Sequence, residues 1–240
     1  MELQNKTIGI LGGMGPAATV ELFSRIVNNT VATSDQEHVN MVIINDPQIP
    51  DRSKYILEKG ESPLPKLKDN LIKLYNAGAD VAIIPCMTAH SFITELQYHS
   101  PIPIINAIEL VEKHIKETFP FIEKVGLLAT TGSVKSGVYQ KYLTKTIYTL
   151  DEHEQNKLMG AIYDKDGIKG GNISDESASR VLNVLETLKD RDVDAVIAGC
   201  TELGLVLNDE NAKIPVIDPI FLLAKEAVRI GNHYTLVENK

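Results

Sequence analysis

Short apolar runs alternate along this chain with longer stretches in which apolar residues recur every third or fourth position. The pattern predicts strands alternating with helices. The first run, Ile8 to Leu11, ends in Gly12, Gly13, Met14, Gly15 and Pro16, after which ATVELFSRIVNNTV has helical spacing. That is strand, tight loop, helix. A dinucleotide-binding loop would read GxGxxG, and GGMGPAA does not, so a turn that merely reverses the chain explains the segment at least as well as ligand contact. Its backbone N–H groups could nevertheless bind a carboxylate. Val39 to Asn45 predicts a second strand, and the proline-rich NDPQIPDRSKYIL predicts a loop whose Asp51 and Arg52 are solvated. Were Arg52 to face a cleft, its guanidinium could hold a carboxylate by two parallel hydrogen bonds. Leu64 to Ala77 predicts an amphipathic helix closed by Gly78 as a left-handed cap. The strand Asp80 to Pro85 then leads to Cys86, Thr88 to Tyr98 reads as helical, and SPIPIINAIELVEKHIKETF gives a short strand and another helix.

At Lys124 the pattern starts again. KVGLLATTGSVKSGVYQKYL resembles KTIGILGGMGPAATVELFSRI, DVDAVIAGCTEL resembles GADVAIIPCMTAH, and AKIPVIDPIFLLAKEAV resembles SPIPIINAIELVEKHI. Three matches in the same order at nearly constant offset indicate an internal duplication. Alternating strands and helices imply parallel sheets covered on both faces. The expected architecture is α/β, two similar parallel-sheet domains related by pseudo-twofold symmetry with an active site in the cleft between them. The first domain would be discontinuous, residues 1–106 plus 218–240, with a final helix Pro219 to Ile230 returning to it, and the second would be 107–217.

Composition narrows the partners. The 240 residues carry a net charge of -8 and no basic cluster, which argues against nucleic acid or an anionic membrane surface and for a small-molecule ligand. No apolar stretch approaches the roughly 20 residues of a membrane helix, and MELQNKT lacks a signal peptide's apolar core. A cytoplasmic location, where thiols stay reduced, is expected. Two cysteines among six histidines show no zinc spacing, so no metal is expected.

Those two cysteines, Cys86 and Cys200, stand at equivalent positions of the repeat, each where a buried strand gives way to loop and helix. Open α/β sheets collect ligand-binding groups there. A lone free cysteine is more often a small buried hydrophobe; the duplication shifts the balance toward chemistry. Removing a proton from one face of a carbon and returning one to the other face needs two bases on opposite sides. A symmetric pair of thiols supplies them, one as thiolate and one as thiol. An α-proton is a poor acid, so the substrate carboxylate needs donors such as Thr88, Thr201, Ser133 and the loop amides. Glu202 could be a helix-cap charge or could tune Cys200, and His90 reads as a hydrogen bonder at a helix start.

At these residues the chain resembles the aspartate/glutamate racemase family of cofactor-independent amino-acid racemases. The resemblance runs through GILGGMGPAAT, NDPQIPDR, IPCMTAH, GLLATTGSVKSGVYQ, IKGG, and GCTEL followed by PVIDP. It implies a two-domain homodimer without pyridoxal phosphate, with Cys86 and Cys200 as catalytic bases supported by Asp51 and Glu202. It also implies that Arg52 and Lys169 contact a side-chain carboxylate, as in the aspartate-specific branch, and that Met14, Met87, Thr88, Thr131, Ser133 and Thr201 line the substrate. One departure stands out, because the family's PCNTAH reads PCMTAH here and a thioether at Met87 cannot replace an asparagine's hydrogen bonds. The expected activity is therefore aspartate racemisation, with glutamate or a broader range of amino acids as the near alternative. An acidic-metabolite-binding protein without catalysis is the alternative of another class.

Overall fold

The computed structural model describes residues 5–231. The chain divides into two compact units, one formed by Met1–Asp51, Glu61–Ala107 and Ile220–Lys240, the other by Arg52–Gly60 and Ile108–Pro219. Among the described residues the strands are β1 (Ile8–Gly12), β2 (Met41–Asn45), β3 (Val81–Ile83), β4 (Lys124–Leu128), β5 (Thr146–Thr149), β6 (Ala195–Ala198) and β7 (Val216–Ile217). They pair in parallel as two sheets ordered β2-β1-β3 and β5-β4-β6-β7.

The two sheets repeat one plan. In the first, Ala82 of β3 makes a parallel bridge to Ile104, its N–H donating to the Pro103 carbonyl; in the second, Val196 of β6 pairs with Val216 and donates to the Pro215 carbonyl. IPII and IPVI thus take the same edge position. The Asp80 carboxylate accepts the Thr7 N–H at the head of β1, and the Asp194 carboxylate accepts the Glu123 and Lys124 N–H groups at the head of β4. Each central strand also carries a glycine beneath a helix. A side chain at Gly9 would collide with Ala79 and crowd Leu74, and one at Gly126 would crowd Leu188. The duplicated sequence therefore encodes duplicated packing.

All of β1 and most of β4 are buried, which is why both read as unbroken apolar runs, whereas the edge strand β2 keeps Ile43 and Asn45 exposed. The helix Leu64–Asn76 ends as the sequence predicts: Gly78 has φ +92, its N–H donates to the Tyr75 carbonyl, and Ala79 donates to Leu74. The last helix, Pro219–Gly231, has its glycine terminus against Val39 and Ile8 of the first unit. Among the described residues no helix is long and apolar enough to cross a membrane.

One segment departs from the expectation of a solvated loop. Arg52–Ile56 forms a short helix that packs with the second unit, and Arg52 is only 6% exposed. The cause lies in the Thr131–Ser136 helix beside it. Ser53 Oγ donates to Thr130 Oγ1 at 3.2 Å, and a side chain at Gly132 would fall on the Ser53 backbone and hydroxyl. Only glycine lets the two backbones approach so closely.

Candidate active site

In the first unit, β3 is followed by Ile84, Pro85 and Cys86, which is 4% exposed and precedes a 3₁₀ turn, Met87–Phe92, that continues into the helix Ile93–His99. Met87 and Thr88 are buried with it. His90, four residues on, is fully buried and its Nδ1 lies 3.0 Å from the Cys86 carbonyl oxygen. A carbonyl can only accept, so Nδ1 carries the proton and donates. Burial pushes His90 down to about 4, against the opposing pull of its hydrogen bonds to the Cys86 and Ile105 backbone. The ring is neutral and clamps the backbone that presents Cys86, in keeping with the hydrogen-bonding role expected of it.

The loop after β1 lies in the same unit. Gly13 has φ +96, its N–H donates to Thr19 Oγ1 at 3.0 Å, and Asp46 donates its N–H to the Gly12 carbonyl. Met14 is buried beside it, while Asp51 is half-buried immediately before the Arg52 helix. Asp46, which the sequence did not single out, holds this corner: its carboxylate accepts from Asn70 and from the Gln48 N–H, and the Asn70 bond is the chief reason its carboxyl lies below the usual range.

The second unit holds most of the remaining candidates. Beyond β6, Gly199 donates its N–H to the Leu128 carbonyl and accepts the Tyr139 hydroxyl at 3.1 Å. A side chain at Gly199 would collide with Leu127, Tyr139 and Ala129, so the approach to Cys200 is fixed by a packed glycine. Tyr139 lies in the quoted GVYQ segment, yet nothing in its spacing marks it as the brace behind the thiol. Cys200 packs into the apolar core that includes Leu128, Leu158 and Leu203. Its thiol donates to Glu202 Oε2 at 3.0 Å, Thr201 Oγ1 donates to the same oxygen at 2.8 Å, and Lys169 Nζ donates to Oε1 at 2.7 Å. Sulfur, carboxylate and ammonium form one chain.

Its electrostatics follow from burial and sign. Burial pushes the Cys200 thiol well up, and the Glu202 charge pushes it further, with Lys169 pulling partly back. Burial would also raise Glu202, but the Lys169 charge and the hydrogen bonds from Cys200, Lys169 and Thr201 outweigh it and leave the carboxyl below its ordinary value. An ionised Glu202 therefore stands beside a protonated Cys200. Glu202 stands before the single turn Leu203–Leu205 and makes no side-chain capping bond there; its carboxylate accepts from the Cys200 thiol. Lys169, by its sequence an ordinary surface residue, points its ammonium at this carboxylate and lies 5.3 Å from the Tyr163 ring centre.

Thr130, Thr131 and Ser133 form the neighbouring corner of this unit. Ser133 is fully buried, its N–H donates to Thr130 Oγ1, and the two hydroxyls lie 3.1 Å apart. Thr131 is half-buried, with its N–H 3.3 Å from Met159 Sδ. Because the Arg52 helix docks here through Ser53, the second unit holds Arg52, Thr131, Ser133, Lys169, Cys200, Thr201 and Glu202. Among the described residues no group of three or more His, Cys, Asp or Glu side chains could hold a metal ion.

Each of the two units is a parallel-sheet α/β layer with a buried free cysteine just beyond a strand, Cys86 after β3 and Cys200 after β6. The family model for Asp/Glu/Hydantoin racemase matches residues 11–227, and the chain belongs to this family of isomerases. It is 29% identical over 230 residues to the broad specificity amino-acid racemase RacX of Bacillus subtilis, covering 92% of this chain and 96% of that one. Among solved structures it is similar to the aspartate racemase of Picrophilus torridus, with 31% identity, TM-score 0.82 and 93% coverage of both chains. A glutamate racemase from Francisella tularensis, in complex with D-glutamate, shares the fold at 16% identity and TM-score 0.67, over 94% of this chain and 80% of that one.

Proposed function

We propose that this protein racemises an amino acid, aspartate before others, by moving the α-proton between Cys86 and Cys200 without a cofactor. In one direction Cys86, as thiolate, removes the proton from one face of Cα. The Cys200 thiol delivers its proton to the other face, and the electron pair of the broken C–H bond becomes that of the new one. Thr88, Thr201 and Ser133 hydroxyls stabilise charge developing on the substrate carboxylate. Arg52 and Lys169 select a second carboxylate, Asp51 supports Cys86, and Met14, Met87 and Thr131 shape the pocket. The observation that carries the reading is the Cys200 thiol held on ionised Glu202, a proton donor already in place. A homodimer acting in the cytoplasm, where both thiols stay reduced, completes the proposal, and light scattering checks its first half.

The test is a panel of L-amino acids in deuterated water. Aspartate should yield its D-form with deuterium at Cα, and Cys86→Ala and Cys200→Ala should each abolish inversion. Wild-type rates in either single variant would refute the mechanism. A second reading, broad specificity, has its own support in the apolar Met87 and in the similarity to RacX. Comparable turnover of several neutral amino acids would favour it. Tight aspartate binding with no exchange would favour a binding protein instead.

A further inference from the structure

We propose that Lys169 is a positioning residue for proton transfer at Cys200, acting through Glu202 and apart from any contact it makes with substrate. The inference rests on the reading of Cys200 as an acid/base group. The Glu202 carboxylate divides its two oxygens, Oε1 toward Lys169 at 2.7 Å and Oε2 toward the Cys200 thiol at 3.0 Å. For this carboxylate, 2% exposed, Lys169 supplies a counterion that helps hold it ionised together with the hydrogen bonds from Cys200 and Thr201. The carboxylate in turn holds the ammonium where its positive charge bears on the thiol and favours the thiolate.

The lysine is delivered by a braced segment. It sits on the single turn Ile168–Gly170, whose Ile168 is fully buried in the second core. Gly167 donates to the Asp164 carbonyl and leaves no room for a side chain against the Ile162 and Asp164 backbone, and Gly171 closes the turn at φ +96. Backbone constraints of this kind fix where the ammonium can reach. The two charges bear on Cys200 with opposite sign: Lys169 favours the thiolate, Glu202 opposes it.

The experiment uses the full chain with Cys86→Ala, which leaves Cys200 as the one cysteine of the sequence. The pH dependence of its alkylation by iodoacetamide reports the thiolate directly. Lys169→Met, or Lys169→Gln should the first variant misfold, is expected to move that profile to higher pH by about one unit. Alkylation below the midpoint would then be about tenfold slower. Lys169→Arg should restore it, and Glu202→Gln should move it to lower pH. Adding Lys169→Met to Glu202→Gln should move it much less than Lys169→Met does alone, because the carboxylate linking the two is gone. With Cys86 present, Lys169→Met should lower kcat and displace the pH profile of racemisation. Unmoved alkylation profiles, or a rise in KM with the pH profile unchanged, would overturn the proposal. Alkylation decides it even if the wild-type protein racemises nothing, an outcome that would refute the racemase reading instead.

Discussion

Gly13 and Gly78 both have positive φ, +96 and +92, but different surroundings. A Cβ at Gly78 would meet no atom within 4 Å, whereas one at Gly13 would fall on the backbone N, C and O of Asp46. Replacing each by alanine therefore separates two costs. Left-handed backbone costs an L-residue about 1–2 kcal/mol, and this is all that Gly78→Ala should lose. Gly13→Ala adds the displacement of a peptide held by the Asp46 N–H to Gly12 and by the Asp46 carboxylate to Asn70 and the Gln48 N–H. Such overpacking costs about 1–3 kcal/mol more. At about 2–4 °C per kcal/mol for a chain of this size, Gly78→Ala should lower Tm by roughly 2–8 °C and Gly13→Ala by roughly 4–20 °C. Thermal unfolding followed by circular dichroism measures both. Equal losses would refute the claim that Asp46 dictates glycine at position 13, leaving conformation as the sole reason.

Buried, neutral His90 makes the fold acid-sensitive. In the unfolded chain it takes up its proton near 6.5, in the folded one only near 4, so stability falls as pH drops through this window and levels off below it. The loss between pH 7 and pH 5 should be about 2 kcal/mol, and urea midpoints of the wild type and His90→Gln should differ in their pH dependence accordingly. Tyr139→Phe removes the hydroxyl that braces the Gly199 carbonyl and should destabilise by about 1–3 kcal/mol in the same assay. An unchanged midpoint would show that the bond contributes nothing.

The periodicity of the chain determined its strands, its helices and the duplication. Ile8 to Leu11 and the KVGLL run are buried on both faces, and burial on both faces writes itself into sequence as an unbroken apolar run. The loop positions of Cys86 and Cys200 just beyond β3 and β6 were legible for the same reason, since the apolar runs stop there. The short helix at Arg52 was not, because its stability comes from Gly132 admitting Ser53 and from the Ser53–Thr130 hydrogen bond between residues 77 apart. Likewise Lys169 and Glu202 lie 33 residues apart, and no local pattern distinguishes a lysine aimed at a buried carboxylate from one in solvent. Local spacing records which face of an element is dry. Which charge meets which, and which glycine lets two backbones touch, is decided by the folded chain, because those energies exist only once the distant partners are in place.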